Sequence, residues 1–140
     1  MAIRTSGLTK HYGTMVAVNQ LDLIVPRGSV FAFLGRNGSG KTTTIRMLLG
    51  LEEATRGSAE VLDCDSRRLT TELRNRIGYL TESHFAYGWM TIDECERFQS
   101  GSFGSWNRDV FEAVIPHFGL NRKSRVKHLS RGQRAGVCLA

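Results

Sequence analysis

Apolar positions along this chain follow one rhythm near its start and another near its end. Ala2 to Leu8 and Leu21 to Val25 read as strands, the second through the alternation of Leu21, Leu23 and Val25, and Pro26-Arg27-Gly28 reads as a turn. Ser29 to Leu34, SVFAFL, is a continuous apolar run of the kind carried by a strand buried on both faces. A helix is expected next, with Ile45, Leu48 and Leu49 on one face and Gly50 as its stop. Gly57 to Leu62 reads as another short strand, Leu69 to Arg76 as a brief helix or turn, and Ile77 to Glu82 as a further strand-like run.

From Thr91 onward the spacing becomes helical. Thr91-Ile92-Asp93-Glu94 has the form of a capping box, which opens a helix turning Ile92, Cys95 and Phe98 toward a core. Ser100 to Ser105 is a glycine-serine break. Asn107 can cap a second helix whose Val110, Phe111, Val114, Ile115 and Phe118 form one apolar stripe, closed by Pro116 and Gly119. A stripe at this spacing is core rather than a cofactor box. Ser130 and Gln133 form a last capping box at the start of a final helix. Between the two regimes, Ser83 to Met90 collects His84, Phe85, Tyr87, Trp89 and Met90 without any period. Such aromatics either meet a partner's surface or pack beneath a neighbouring helix.

Composition narrows the class. At 140 residues the chain is about one domain in length, and 41% hydrophobic composition can support a core. MAIRTSGLTK lacks the form of a cleavable signal, and no apolar run approaches the roughly 18 residues that span a bilayer, so a soluble, cytoplasmic chain is expected. Cys64, Cys95 and Cys138 are odd in number and lack C-x-x-C spacing, which points to reduced core thiols rather than disulfides or zinc. Nineteen basic residues against thirteen acidic ones give a formal net charge of +6. Arg122, Lys123, Arg125, Lys127, Arg131 and Arg134 crowd the C-terminal end, which raises nucleic-acid binding as a question. No nucleic-acid motif accompanies them, so nucleic acid is not the expected partner.

The chemistry is concentrated in Gly35 to Thr43, GRNGSGKTT, which has the spacing of the phosphate-binding loop G-x-x-x-x-G-K-[ST] and lies between an expected strand and an expected helix. A triphosphate needs many donors and no side chains in the way. Gly35, Gly38 and Gly40 let the backbone, with Arg36, Asn37 and Ser39 between them, wrap an anion with its N–H groups inward. Lys41 adds a positive charge for the β- and γ-phosphates, Thr42 a hydroxyl suited to Mg²⁺, and Thr43 a donor in the first turn of a helix aimed at the phosphate. Two further residues are candidates by position. Tyr12, near Val16 and Val18, either offers a flat face to an adenine or is a turn aromatic. Glu82 either sits at the sheet edge where open α/β folds place ligands or is a solvated strand end.

Taken together, Tyr12, GRNGSGKTT, the GYLTE ending in Glu82, and Leu129-Ser130-Arg131-Gly132-Gln133 occur in the order and approximate spacing of the nucleotide-binding domain of ABC transporters. The resemblance covers essentially the whole chain, and LSRGQ is similar to the family's signature sequence. It implies an α/β P-loop NTPase of ABC type, with a β-subdomain and phosphate-loop core over 1–82 and a helical subdomain carrying the signature over 83–140. It implies ATP and Mg²⁺ as ligands, with Tyr12 on the adenine, Thr42 and Glu82 at the metal, and Ser83 to Met90 directed at transmembrane subunits. It also implies a head-to-tail dimer in which Leu129, Ser130, Arg131, Gly132 and Gln133 serve the ATP of a second ATP-binding domain.

The implied role is the ATP-binding subunit of a transporter, peripheral on the inner face of the membrane, similar to ATPases of bacterial multidrug or antibiotic-type exporters. Arg36 stands where proline is common, Arg131 replaces a glycine, and Glu82 replaces a glutamine, which puts a negative charge near Mg²⁺ and the attacking water. The family's Mg²⁺-binding aspartate, catalytic glutamate and switch histidine have no counterpart before Ala140. Asp63, after too short an apolar run, reads as a turn residue. The expectation is thus a domain truncated before its second acidic strand, binding nucleotide weakly, hydrolysing it poorly and leaving sheet edges exposed. Two other readings stand beside it: a nucleotide-binding fragment without turnover, and a soluble ABC-type ATPase acting on nucleic acid or ribosomes.

Overall fold

The computed structural model describes residues 1–81, 87–102 and 106–139, and the chain divides into two compact units, Met1–Arg76 and Ile77–Ala140. The first unit is built on an antiparallel sheet in the order β2-β1-β3-β4. Its strands are β1 (Ile3–Tyr12), β2 (Met15–Val25), β3 (Arg56–Val61) and β4 (Cys64–Asp65). β1 and β2 form a hairpin in which Tyr12 pairs with Met15, and Gly13 at φ 57° makes the turn that a side chain would resist. Where β1 and β3 pass each other, a Cβ on Gly57 would lie 2.3 Å from the Gly7 carbonyl oxygen, so the sheet closes there only without a side chain.

Leu8, Val18, Val25, Ala59 and Val61 from the sheet are buried, as are Met47 and Leu48 from helix α1 (Lys41–Leu48). After α1, Gly50 adopts φ 66°, as expected of a helix stop. The buried face of α1 is Thr44, Met47 and Leu48, however, and Ile45 is exposed. The expected stripe had the right spacing and the wrong centre. Leu62 and Asp63 turn the chain between β3 and β4 with positive φ, and the Asp63 carboxylate binds the N-terminal ammonium and Arg27. A short helix, α2 (Thr71–Arg74), capped by the Thr70 hydroxyl, ends this unit's regular structure.

Two expected strands do not form. Ser29 to Leu34 has no ladder among the described residues, Val30 is fully exposed, and Leu34 is 87% exposed. Ile77 to Leu80 likewise adopts no strand, and Tyr79 and Leu80 are exposed. An apolar run becomes a strand only when a neighbouring strand takes its N–H and C=O groups, and neither segment has such a partner among the described residues of its own unit.

The second unit is helical, with α3 (Ile92–Ser102), α4 (Arg108–His117) and α5 (Arg131–Leu139). The Thr91 capping box forms: the Thr91 N–H donates to Glu94 Oε2 at 2.7 Å, and the Glu94 N–H donates to Thr91 Oγ1 at 3.2 Å. Asn107 Oδ1 accepts from the N–H groups of Asp109 and Val110 and so starts α4. Met90, Ile92, Cys95, Phe111, Leu120, Val126, Leu129 and Val137 make the core, against which Val114, Ile115 and Phe118 pack.

The helices depart in two respects from the expected stripes and glycine-serine break, and the close of α4 matches the expectation. Phe98 and Val110 face outward at 51% and 47% exposure, so each stripe is narrower than its spacing suggested. The helix α3 also continues through Gly101 to Ser102, past the start of the expected break. Pro116 lies inside the last turn of α4, and Gly119 at φ 58° follows that helix.

Candidate functional site

The phosphate-loop segment lies in the first unit. Gly38 and Gly40 adopt φ 82° and 86°, left-handed conformations that L side chains rarely take, and these glycines are what bend the loop. A Cβ on Gly40 would sit 2.3 Å from the Ala17 carbonyl oxygen, so the start of α1 rests directly on β2. A Cβ on Gly35 would meet Ser39 Oγ at 2.5 Å. Inside the loop the Ser39 N–H donates to the Arg36 carbonyl at 3.1 Å, and at its end the Thr44 N–H donates to the Gly40 carbonyl at 2.8 Å.

No side chain caps α1, and its first turn carries no carboxylate. The early N–H groups of a helix have no intrahelical acceptor, and the helix dipole adds about half a positive charge at that end. Lys41 Nζ adds a full charge, held 2.6 Å from the Gly35 carbonyl oxygen and 2.7 Å from that of Arg36. Gly35, Arg36, Asn37, Gly38, Ser39 and Thr42 are exposed, with Gly40, Lys41 and Thr43 half-buried. This is an electropositive arrangement open to solvent, and it suits an anion.

Tyr12 ends β1 in the same unit and is 41% exposed. Its cross-strand partner Met15 lies two residues before Ala17, so one hairpin carries both the predicted base contact and the seat of the phosphate loop. The sequence pattern did not show the role of Ala17. The signal was Gly40 itself, a glycine at a helix start where a capping serine or aspartate would be usual.

The signature segment lies in the second unit. The Ser130 N–H donates to Gln133 Oε1 at 3.1 Å and the Gln133 N–H returns to Ser130 Oγ at 3.2 Å, closing the predicted capping box. Leu129 is buried beneath it, whereas Ser130, Arg131 and Gly132 are exposed and nothing lies within 4 Å of a Cβ built on Gly132. The first turn of α5 has no acidic residue.

Of the aromatic segment, Tyr87 and Trp89 are exposed at 56% and 63%, with ring centroids 5.8 Å apart, and Phe98 meets Tyr87 edge-on at 5.9 Å. Among the described residues of this segment, Met90 goes into the core. Glu82, Ser83, His84, Phe85 and Ala86 lie outside the described residues, so the predicted metal contact of Glu82 lies there too.

The C-terminal basic group is less free than its sequence suggests. Arg122 binds Asp93 at 3.0 Å, Glu96 at 2.9 Å and Glu112 at 2.5 Å and lies over the Phe111 ring, and these carboxylates raise its guanidinium above its ordinary value. Arg134 Nε donates to the Leu129 carbonyl at 3.1 Å.

Residues 18–140 match the family described as "ABC transporter", and the chain belongs to that family. It is 36% identical over 142 residues to a bacitracin transport ATP-binding protein of Bacillus licheniformis, an alignment covering 99% of this chain and 46% of that protein. It is 37% identical over 112 residues to a probable multidrug ABC transporter ATP-binding protein of Escherichia coli strain K12, covering 80% of this chain and 19% of that one. The chain thus spans about half or less of the length of these relatives.

Among solved structures, an ATP-binding subunit of an ABC transporter superposes with a TM-score of 0.81 at 24% identity, covering 99% of this chain and 60% of that chain. An ATP-binding cassette in a dimeric post-hydrolysis state bound to ADP and Pi gives 0.76 at 19% identity, covering 97% and 67%. The fold is that of the ABC ATPase domain, a P-loop NTPase. No helix among the described residues is long and apolar enough to cross a membrane.

Proposed function

We propose that this chain is the ATP-binding part of an ABC transporter subunit, with Gly35 to Thr43 holding the phosphates and Tyr12 the adenine. The observation that carries the reading is the pairing of an uncapped helix N-terminus with Lys41, whose ammonium is lodged on two carbonyls of the loop itself. A γ-phosphate offers that ammonium a stronger, fully charged acceptor, so the lysine can exchange partners with little movement of the loop.

Among the described residues no group of three His, Cys, Asp or Glu side chains could hold a metal ion alone. The Thr42 hydroxyl and Glu82 would hold Mg²⁺ beside the phosphate oxygens, and the ion would supply charge neutralisation on the transferred phosphoryl group. The open α5 N-terminus, with Ser130 and Gly132 exposed and Arg131 beside them, would meet the ATP of a second domain. Exposed Tyr87 and Trp89 would serve transmembrane subunits, which would keep the protein on the inner face of the membrane. Kinship with bacitracin and multidrug transport proteins supports an exporter of the antibiotic type for the whole protein.

The test is phosphate release by the whole protein reconstituted with its membrane subunits. Turnover that falls to background in Lys41→Ala is expected. Turnover indifferent to that change would overturn the reading.

A further inference from the structure

We propose that Lys10 and Glu52 are positioning residues for the nucleotide base, holding Tyr12 as a platform with one face closed and the other open; this rests on the reading of Tyr12 as the adenine contact. Lys10 Nζ lies 5.0 Å from the centroid of the Tyr12 ring, within cation–π range. The same ammonium binds Glu52 Oε1 at 2.6 Å and the Glu53 carbonyl at 2.7 Å. Its side chain is only 13% exposed, and that of Glu52 is 26% exposed. A lysine so engaged is a fixed part of the site and not a solvated surface charge.

Glu52 holds the Lys10 ammonium directly. The Lys10 ammonium foremost, and the Tyr12 hydroxyl to a lesser degree, hold its carboxyl below the usual range. The segment that follows Glu52 is tied to β1, because the Thr55 N–H donates to the Thr9 carbonyl at 2.8 Å and the His11 N–H to Thr55 Oγ1 at 3.0 Å. The segment bearing Glu52 follows α1, whose other end is the phosphate loop. One helix thereby links the group that grips the phosphates to the pair that sets the tyrosine.

The consequence for ligand binding is directional. A cation over one face of a phenol ring attracts that face and bars it to a ligand, so an adenine has the opposite face to stack on. Without Lys10 the ring loses its orienting charge, and a base must pay for ordering it on binding. The phosphates, gripped elsewhere, would not register the change.

The experiment is calorimetric titration of the chain with ATP and, separately, with inorganic tripolyphosphate, which lacks the base. In Lys10→Met and Glu52→Gln, ATP affinity is expected to fall about two- to five-fold, the size of an exposed cation–π contact. Tripolyphosphate affinity should stay constant, and Lys10→Arg should restore most of the loss. Unchanged ATP affinity in both variants would overturn the proposal, as would an equal loss for tripolyphosphate, which marks a general structural role. If the unaltered chain binds tripolyphosphate as tightly as ATP, the Tyr12 reading and this proposal fail together. If it binds neither, the phosphate-loop reading has failed beneath both.

Discussion

Lys41 Nζ lies 2.6 Å from the carbonyl oxygen of Gly35, so the lysine of the phosphate loop closes that loop on itself. The carbonyls it binds belong to exposed residues that water can serve equally well. Lys41→Ala should therefore leave unfolding free energy within about 0.5 kcal/mol of the unaltered chain, as for surface positions in general. Denaturant titration checks this, and it licenses any binding defect of that variant to be read as loss of a ligand contact.

Gly40 and Gly132 are predicted to respond to alanine in opposite directions. Gly40→Ala places a Cβ 2.3 Å from the Ala17 carbonyl at φ 86°, a strained and clashing position, and should cost about 1–3 kcal/mol along with nucleotide affinity. Gly132→Ala enters open space in the first turn of α5 and should stabilise by about 0.5–1 kcal/mol through the unfolded chain. Thermal unfolding reads both. If Gly132 faces a second domain's ATP, the stabilised variant should still lose ATP-dependent dimer on size-exclusion chromatography.

At Gly136, α5 packs tightly against Phe118, the residue that follows α4. A Cβ there would lie 2.6 Å from the Phe118 ring, so Gly136→Ala should destabilise by about 1–3 kcal/mol as an overpacked site. Phe118→Leu in the same chain should recover part of the loss. Additive losses in the double variant would contradict the contact.

Asp65 gives the first unit an acid-sensitive element. The Arg67 guanidinium, and then the Arg67 backbone N–H, hold its carboxyl down at about 2, from 3.8. A depressed folded value means the stabilisation is complete above pH 3.8 and is lost as pH falls toward 2. Asp65→Asn should lower the thermal midpoint slightly at pH 5, and the gap between variant and unaltered chain should shrink as pH falls through about 2. The effect is small because the pair is solvent-screened.

Elements specified within a few residues were legible in the sequence. The capping boxes at Thr91 and Ser130 and the phosphate loop need only neighbours three to six positions away, and the local chemistry determines them. Ser29–Leu34 reads as a strand and forms none, because a strand is a relation between segments and its composition does not name its neighbour. Periodicity found the helices but misjudged Ile45 and Phe98, since spacing fixes a face and tertiary packing fixes how wide a strip of it is covered. The approach of Gly136 to Phe118 and the reach of Lys10 to Glu52 join residues far apart in sequence, beyond what any local pattern carries.

Calorimetric titration of the chain with ATP and Mg²⁺, beside Lys41→Ala, tests the central claim that Gly35 to Thr43 grips the phosphates. Saturable binding by the unaltered chain, weakened at least about ten-fold in the variant by loss of a charge-assisted bond, is the predicted result. Equal affinity in the two proteins, or no binding by the folded unaltered chain, would contradict it.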